Sequence, residues 1–409
     1  MLFVGIDWSD QALDFQMRDE QDEVRTEGQV KPSVEGLAEL FAGLEVHGGP
    51  DQIAVILEAT HAVWVQPLLD RGYRVYPVNP KLVDSYRESL SANGDKSDRI
   101  DRRVLAMYLR NHHKHLRALK PDDPKLIGLR IACQDRLRLM EEHTAKVNEL
   151  GAVLKGHYPA VLGLFGGLDS DIALAFLEAF PTQDRMRALS EKKLRAWLKA
   201  QGYPQPYRIP EMVEHLTQPV FAVAEHLQAA KAPLIGFLAR SLRLLNAEIR
   251  QRDQDIQDQF EDLEEAKWVR SLPGAGKVLG PAVLACVGRD KTRFADAGKA
   301  RALFGTAPVT KQSGKFKAVG FRWGCWKFAR RTFQLLAEKS LLTCTWAQAF
   351  YQQQRAKGHK HHQALRELAH KWVKIILALQ RTGQPYDEDT FVNSQRKHRL
   401  TTLSVTTVS

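Results

Sequence analysis

The strongest constraint on the fold comes from the run QIAVILEA at residues 52–59, which is apolar at almost every position. A continuous apolar, β-branched run predicts a strand buried on both faces of a sheet, and such a sheet needs helices on both sides. Turn-like polar breaks and helical periodicity surround this run. The predicted strands are 2–7, 12–20, 23–30, 52–59 and 74–79, and the predicted helices are 33–44, 61–71, 80–91 and 98–110.

The order of these elements, βββαβαβα, predicts the fold of residues 1–118. Three successive strands favour an antiparallel meander, whereas strands that follow helices favour parallel pairing. We therefore expect a mixed sheet, which is the pattern of a ribonuclease-H-like domain.

The remainder of the chain is predicted to be helical, which makes the whole a multidomain α/β plus α protein. Residues 124–265 contain two long helical stretches, 127–154 and 233–263, which we expect to pair as an antiparallel coiled coil with small helices inserted between them. Such a domain is a candidate for oligomerisation. Residues 266–385 are predicted as a third, mostly helical domain. Residues 386–409 are polar and rich in Thr and Ser, which predicts a disordered tail.

Positive charge is concentrated in the third domain. Residues 291–381 contain 19 Lys and Arg but three acidic residues, a net charge of +16, whereas the whole chain of 409 residues carries +11. This imbalance indicates an anionic partner, nucleic acid before a membrane surface. Five aromatic residues interleaved with this charge are candidates for stacking on bases or for the core: Phe316, Phe321, Trp323, Trp326 and Phe328.

Cysteine usage and the N-terminal sequence predict the compartment. The four cysteines form no CxxC pair, which excludes a zinc ribbon and a dense disulfide scaffold and favours a reducing environment. The opening residues, MLFVGIDWSD, lack the basic and long apolar regions of a signal peptide. No stretch approaches the roughly 18 uninterrupted apolar residues of a membrane span. We expect a cytoplasmic, nucleoid-associated prokaryotic protein with no membrane partner.

Four acidic residues lie where this topology would bring them together. Asp7 ends the first strand, Glu58 ends the buried strand, and Asp98 and Asp101 lie three residues apart at a helix start, on one face. Clustered carboxylates repel one another and need cations, and hard oxygen ligands suit Mg²⁺ or Mn²⁺. Two such ions can hold the attacking and leaving oxygens of a phosphodiester. The alternative is structural, with Asp98 as a helix N-cap and the other acids as turn residues.

A glycine-containing turn in the third domain predicts a phosphate contact. The segment Pro273-Gly274-Ala275-Gly276, followed by Lys277, lies between two apolar helices and resembles a helix–hairpin–helix. Its glycines let backbone N–H groups approach a phosphate at the positive end of a helix. A plain turn between two helices is the alternative.

A second candidate site in this domain is Ser313, which Gly314 follows. From the pattern alone, Ser-Gly predicts a turn. A nucleophilic serine would need a base or a metal to activate it and cations to hold the phosphate. The neighbouring lysines supply only the cations: Lys311, Lys315 and Lys317.

Motifs along most of the chain resemble those of the IS110-type insertion-sequence transposases, DEDD-type recombinases related to the pilin-gene invertases. The N-terminal motifs are GIDWSDQALDF, LEATHAVWVQPL and VNPKLVDSYRESLSANGDKSDRIDRRVLA. The C-terminal motifs are SLPGAGKVLGPAVLA, RFADAGKARALFGTAPVTKQSGK and FYQQQRAKGHKHHQALRELAHKWVKIILALQRTGQPYD.

The resemblance implies a RuvC-like domain whose four-acid site is Asp7, Glu58, Asp98 and Asp101, and an essential serine that maps to Ser313. It implies a DNA recombinase in which the serine attacks a DNA phosphate and forms a covalent phosphoserine intermediate, assisted by Mg²⁺ or Mn²⁺ in the RuvC-like site. The implied partners are donor and target DNA, other copies of the chain in a dimer or tetramer, and a structured guide (bridge) RNA from the element's non-coding ends.

Two other functions remain open at this point. A metal-dependent junction nuclease would use the four acids with water as the nucleophile and would not need Ser313. A non-catalytic RNA-binding scaffold would use the basic domain alone, and Asp98 would then be dispensable.

Overall fold

The computed structural model describes residues 1–58, 62–90, 97–120, 122–219, 221–294, 296–314 and 316–393. The chain divides into two compact units, Met1–Pro121 and Asp122–Ser409. Lys315 and residues 394–409 of the predicted tail lie outside the described residues.

The first unit is built on a five-stranded mixed sheet. Its strands lie in the order β3-β2-β1-β4-β5. The pairs β1–β2 and β2–β3 are antiparallel, and the pairs β1–β4 and β4–β5 are parallel, which confirms the predicted pairing. The strands are β1 (Leu2–Trp8), β2 (Leu13–Arg18), β3 (Val24–Val30), β4 (Ile53–Leu57) and β5 (Arg74–Pro77).

Four helices accompany this sheet, and all four are close to the predicted ranges. The hydroxyl of Ser33 accepts a hydrogen bond from Gly36 N at 3.1 Å and so caps the first helix. The helices are α1 (Val34–Glu45), α2 (Ala62–Asp70), α3 (Pro80–Leu90) and α4 (Asp98–His112).

Strand β4 contributes side chains to a hydrophobic core on each face of the sheet. Val55 and Leu57 pack with α1 and α2, whereas Ala54 and Ile56 pack with α3 and α4. All five β4 residues are buried, as the sequence predicted. Burying one large aliphatic side chain contributes about 1.5–3 kcal/mol, so this strand anchors both layers of helices.

Two long helices, α5 (Pro124–His157) and α10 (Glu225–Glu261), form the spine of the second unit. They run antiparallel, because Arg136 pairs with Asp253 while Lys146, further along α5, lies over the ring of Phe237, earlier in α10. The antiparallel pairing agrees with the expectation, while coiled-coil geometry stays a prediction. Helix α10 begins eight residues before Pro233, the predicted start, and accommodates this proline in its interior.

Small helices are inserted between the two long ones, as predicted. They pack with the facing ends of α5 and α10 around a hydrophobic core that includes Tyr158 and Phe176. The inserted helices are α6 (Asp171–Ala179), α7 (Gln183–Arg187), α8 (Glu191–Ala200) and α9 (Ile209–Thr217).

Over the described residues, the C-terminal part of the second unit is helical apart from one two-stranded hairpin, which the sequence did not predict. Its core includes Phe333 and Trp372 and also takes in Leu126 of α5 and Phe260 of α10. The expected boundary between residues 265 and 266 therefore does not separate two hydrophobic cores, and this division stays a prediction. The elements are α11 (Ala266–Arg270), α12 (Gly276–Val287), α13 (Ala297–Leu303), β6 (Val309–Ser313), β7 (Phe316–Gly320), α14 (Lys327–Ser340), α15 (Thr345–Ala356) and α16 (His361–Thr382).

The beginning of the segment that follows α16 packs back onto this core. Tyr386, expected at the start of a disordered tail, accepts a hydrogen bond from Trp346 Nε1 at 2.7 Å through its hydroxyl. Within the described residues, no helix combines the length and the apolar character that crossing a membrane requires.

Gly5 in β1 lets α4 approach the sheet at backbone distance. A Cβ at this position would lie 2.4 Å from the carbonyl oxygen of Arg102 and 2.5 Å from Ala106 N, both backbone atoms of α4. We predict that Gly5→Ala lowers the free energy of unfolding by about 1–3 kcal/mol, because the helix must move outward. Urea unfolding measures this change.

The matched control is Gly43→Ala in α1, where a new Cβ meets no atom within 4 Å. This variant should be neutral or more stable by about 0.5–1 kcal/mol, since alanine favours a helix. Equal stability of Gly5→Ala and the wild type would contradict the close approach of α4.

Candidate active site

Asp7 and Glu58 lie side by side at one edge of the sheet. In the parallel pair β1–β4, Ile6 is opposite Leu57; Asp7 is the next residue of β1, and Glu58 directly follows β4. Strand β1 also pairs with β2 on its other side, in the antiparallel sense. Clefts outside the carboxyl ends of strands, where the strand order changes direction, are common ligand sites in α/β sheets.

Helix α4 contributes the other two acids. Ser97 is its N-cap, and the Ser97 hydroxyl accepts a hydrogen bond from Ile100 N at 3.3 Å. The alternative role of Asp98 as the N-cap is therefore wrong. Asp98 and Asp101 lie in the first turn and face the same side, and Asp101 is 8% exposed.

The other three carboxylates act electrostatically on Asp7. Burial raises the pKa of Asp7 from 3.8, and the charges of Asp101, Asp98 and Glu58 raise it further, to about 6. Mutual repulsion of this kind is relieved by a bound cation, and an all-oxygen donor set fits a hard divalent ion. The oxygen donors of these residues are chemically suited to such an ion, and the four-acid metal site stays a prediction.

A cation of the protein itself contacts this cluster. Arg87 of α3 donates hydrogen bonds to Asp101 and to Asp84, each at 2.5 Å. Among the described residues, no three His, Cys, Asp or Glu side chains are grouped closely enough to hold a metal ion. Sequence reasoning missed Arg87, because no sequence signal links this helix position to an aspartate 14 residues later.

Ser313 is the last residue of β6, at the tip of the hairpin. It is exposed and lies opposite Phe316 across a two-residue loop, whose first residue, Gly314, has φ +55°. Positive φ is the conformation that two-residue hairpin loops require, so the predicted Ser-Gly turn has a direct physical reason. Among the described residues, none makes a hydrogen bond with the Ser313 hydroxyl.

The pairing of the hairpin divides the lysines between its two faces. Lys311 is two residues from Ser313 and shares its face, whereas Lys317 lies opposite Gln312 and shares the other face. Both lysines are exposed. Lys311 is therefore better placed than Lys317 to contact a group bound at the serine.

The five aromatic candidates divide between the surface and the core. Phe316 and Trp323 are 65% and 79% exposed, whereas Phe328 is buried. Trp326 packs against the core, and Phe321 lies beside two arginines. The two exposed rings are thus available for stacking.

The predicted phosphate turn joins α11 to α12, and its two glycines differ. Gly274 has φ +79°, and a Cβ there would lie 2.8 Å from backbone atoms of Lys339 and Ser340, so close packing also explains this glycine. Gly276 has φ +52° with open space around it, and Lys277 is exposed. The first turn of α12 has no side-chain cap, which suits an anion.

The raised pKa of Asp7 predicts a pH-dependent change in stability. Because the folded protein holds this proton more tightly than the unfolded chain, the contribution of Asp7 to stability falls as the pH rises from 3.8 to about 6. Asp7→Asn cannot ionise, so above pH 6 its free energy of unfolding should exceed that of the wild type by about 1–2 kcal/mol, a value reduced for partial exposure.

Urea unfolding of both proteins across this pH range, with a metal chelator present, measures the difference. The two should be equally stable below pH 3.8. A difference that does not change with pH would contradict the electrostatic coupling of the acids.

Two family models match the chain and together cover more than half of it. Residues 4–159 match a transposase model of the DEDD type named for IS110. Residues 266–352 match the model described as transposase IS116/IS110/IS902 family. A DEDD transposase domain indicates dependence on a divalent metal ion.

Relatives are similar along most of their length. One relative is a mini-circle protein of Streptomyces coelicolor, named as a transposase for IS117. It is 28% identical to this chain over 95% of both sequences. The 42 kDa protein of insertion element IS900 from Mycobacterium paratuberculosis is 26% identical over 86% of this chain and 88% of its own. The 44.8 kDa protein of IS116 from Streptomyces clavuligerus is 26% identical over 77% of this chain and 78% of its own. The chain belongs to the IS110/IS116/IS902 family of insertion-element transposases, and this membership implies the cutting and rejoining of DNA.

Proposed function

We propose that this protein is a DNA recombinase that moves an insertion sequence by Mg²⁺-assisted phosphoryl transfer, with Ser313 as the nucleophile. The observation that carries the proposal is the position of Asp7 and Glu58 at adjacent strand ends, where the charges of Glu58, Asp98 and Asp101 act on Asp7. The strand order supports a RuvC-like domain of the ribonuclease H fold for residues 1–118.

Asp7, Glu58, Asp98 and Asp101 would hold the metal ions. When bound, Mg²⁺ or Mn²⁺ supplies positive charge that offsets the developing charge at the phosphate. The residues of the chain orient these ligands: Gly5 sets the approach of α4, and the cap at Ser97 sets where the helix begins.

In the proposed reaction, the Ser313 oxygen forms a bond to the DNA phosphorus as the bond to the leaving sugar oxygen breaks. The serine proton passes to a base, and the leaving oxygen takes up a proton. Retaining the phosphate as a serine ester conserves the bond energy that strand rejoining needs. The hairpin supplies no described base, so activation would come from elsewhere in the assembly.

The cationic groups of the second unit would bind the DNA backbone. Lys311, Lys315 and Lys317 are proposed to neutralise phosphate oxygens, with Lys311 better placed than Lys317 because it shares the face of Ser313. Gly274, Gly276 and Lys277 would hold another phosphate at the start of α12, in a helix–hairpin–helix-like turn.

Assembly and guidance complete the proposal. A dimer or tetramer, with the long helices α5 and α10 as a coiled-coil interface, would bring sites of different protomers together. A structured RNA from the element is proposed as the guide that selects donor and target DNA, acting with the protein in the cytoplasm at the nucleoid. The net charge of +16 over residues 291–381 supports nucleic acid partners.

One observation favours a second candidate, a metal-dependent junction nuclease. The Ser313 hydroxyl has no described hydrogen-bond partner that would act as a base. A nuclease would use the four acids with water as the nucleophile, and Ser313 would be dispensable.

A covalent-trapping assay tests the proposal. We predict that the wild type, incubated with Mg²⁺, DNA that spans the element's junction and RNA from its flanking non-coding region, forms a protein–DNA adduct on a denaturing gel. Ser313→Ala and Asp98→Ala should abolish the adduct, because one removes the nucleophile and the other a metal ligand.

Two matched variants serve as controls. Thr310→Ala removes a hydroxyl from the other face of the same hairpin, and Glu39→Ala removes an exposed carboxylate from α1. Both should form the adduct at the wild-type level. Cleavage without an adduct that Ser313→Ala leaves unchanged would overturn the proposal and favour the nuclease.

The two faces of the hairpin lead to a further prediction. Lys311→Gln should slow adduct formation by about tenfold, because its charge lies on the serine face, while Lys317→Gln should change the rate by less than about threefold. Single-turnover rates on the same DNA measure both effects. Equal effects of the two substitutions would contradict the prediction that a lysine on the face of Ser313 contributes more to the rate of adduct formation.

A further inference from the structure

Two contiguous clefts lie at the base of the β6–β7 hairpin. The smaller has a volume of about 200 Å³ and is lined by Arg322 and Arg366, among others. Thr306 and Pro308 line both clefts, so they form one continuous depression. The larger cleft, of about 610 Å³, is lined by four cationic side chains, Arg301, Lys357, Lys371 and Lys374, and by the imidazole of His370.

Acidic groups do not balance this charge. Among the described residues that line the two clefts, Glu367 is the one carboxylate. Its Oε1 lies 3.0 Å from His359 Nδ1, so a further basic group competes for it. The depression is therefore strongly electropositive.

Two arginines of the smaller cleft region share one aromatic ring. The guanidinium carbons of Arg330 and Arg366 lie 4.9 and 4.8 Å from the centroid of Phe321. Arg322 donates its hydrogen bonds to backbone carbonyl oxygens, whereas Arg366 makes no hydrogen bond with the described residues. The ring thus orients a half-buried guanidinium whose N–H donors remain available to an anion.

The ionised forms of these groups are disfavoured without an anion. Burial lowers the pKa of Arg366, and the charge of Arg330 lowers it further. Burial also lowers the pKa of Arg301, and burial together with Arg301 lowers the pKa of His370 to about 4. A phosphate in the clefts would relieve this repulsion.

We propose that the two clefts bind the phosphodiester backbone of the DNA strand that Ser313 attacks. The inference deepens the proposed function by assigning a backbone site next to the nucleophile. Gly320, at the edge of the smaller cleft, pairs with Val309, and Ser313 lies four positions further along the same strand. At ~3.3 Å per residue this is roughly 13 Å, a span of a few nucleotides.

Fluorescence anisotropy with the full chain and a short fluorescein-labelled DNA duplex, at several salt concentrations, tests the proposal. The double variant Arg366→Gln/Lys374→Gln should bind about tenfold more weakly. The plot of log affinity against log salt concentration should become less steep, its slope smaller in magnitude by about 2, because two phosphate contacts are lost. Arg366→Lys should keep the wild-type slope, since it retains the charge, whereas a role only in stacking on Phe321 would not be rescued by lysine.

The control Arg195→Gln/Lys199→Gln removes the same charge from the exposed face of α8 and should bind within about twofold of the wild type. If the double variant does not fold, the exposed Lys374→Gln alone should reduce the slope by about 1. An unchanged affinity and slope in the cleft variants would overturn the proposal. A loss confined to a labelled RNA strand, with DNA binding intact, would overturn it as well.

These results are separable from those on the proposed function. Ser313→Ala should bind DNA with wild-type affinity, because the serine carries no charge. Normal adduct formation by a cleft variant with unchanged DNA binding would sink the cleft assignment and leave the recombinase standing. A lack of adduct with the wild type, together with weakened DNA binding in the cleft variants, would contradict the serine recombinase and leave the clefts as a DNA-backbone site.

Discussion

The backbone contact between α4 and β1 is the packing interaction on which the acidic site depends. Gly5 has no side chain, so the carbonyl of Arg102 and the amide of Ala106 lie directly over the strand. This contact brings the first turn of α4 to the edge of the sheet where β1 and β4 end. The charges of Glu58, Asp98 and Asp101 consequently reach Asp7, although these acids come from separate parts of the chain.

The two units contain opposite electrostatic imbalances. In the first unit, carboxylates are held together against their repulsion, with Arg87 as a nearby counter-charge. In the second, half-buried guanidinium groups surround Phe321 and line clefts with a single described carboxylate. Each arrangement costs stability in the free protein, and a cation or a phosphate bound as proposed would offset that cost. A protein that joins metal ions to nucleic acid needs both kinds of site.

Most secondary structure followed from local pattern. The alternating and continuous apolar runs predicted the five strands, and Ser33 predicted the start of α1, because these signals depend on neighbouring residues alone. The start of α10 was misplaced because Pro233, interpreted as the beginning of the helix, lies in its interior. The β6–β7 hairpin was missed because its strands are exposed and carry no apolar alternation.

The sequence by itself determined the order of strands and helices, the positions of the acids at element ends, and the concentration of positive charge near the C-terminus. The tertiary structure decided which groups meet. It excluded Asp98 as a cap, brought Arg87 to Asp101, put Lys311 and Lys317 on different faces, and stacked Arg330 and Arg366 on one ring. These contacts join residues from different elements. Chain pattern encodes the period of each element, whereas register, helix approach and side-chain direction are set by packing between elements.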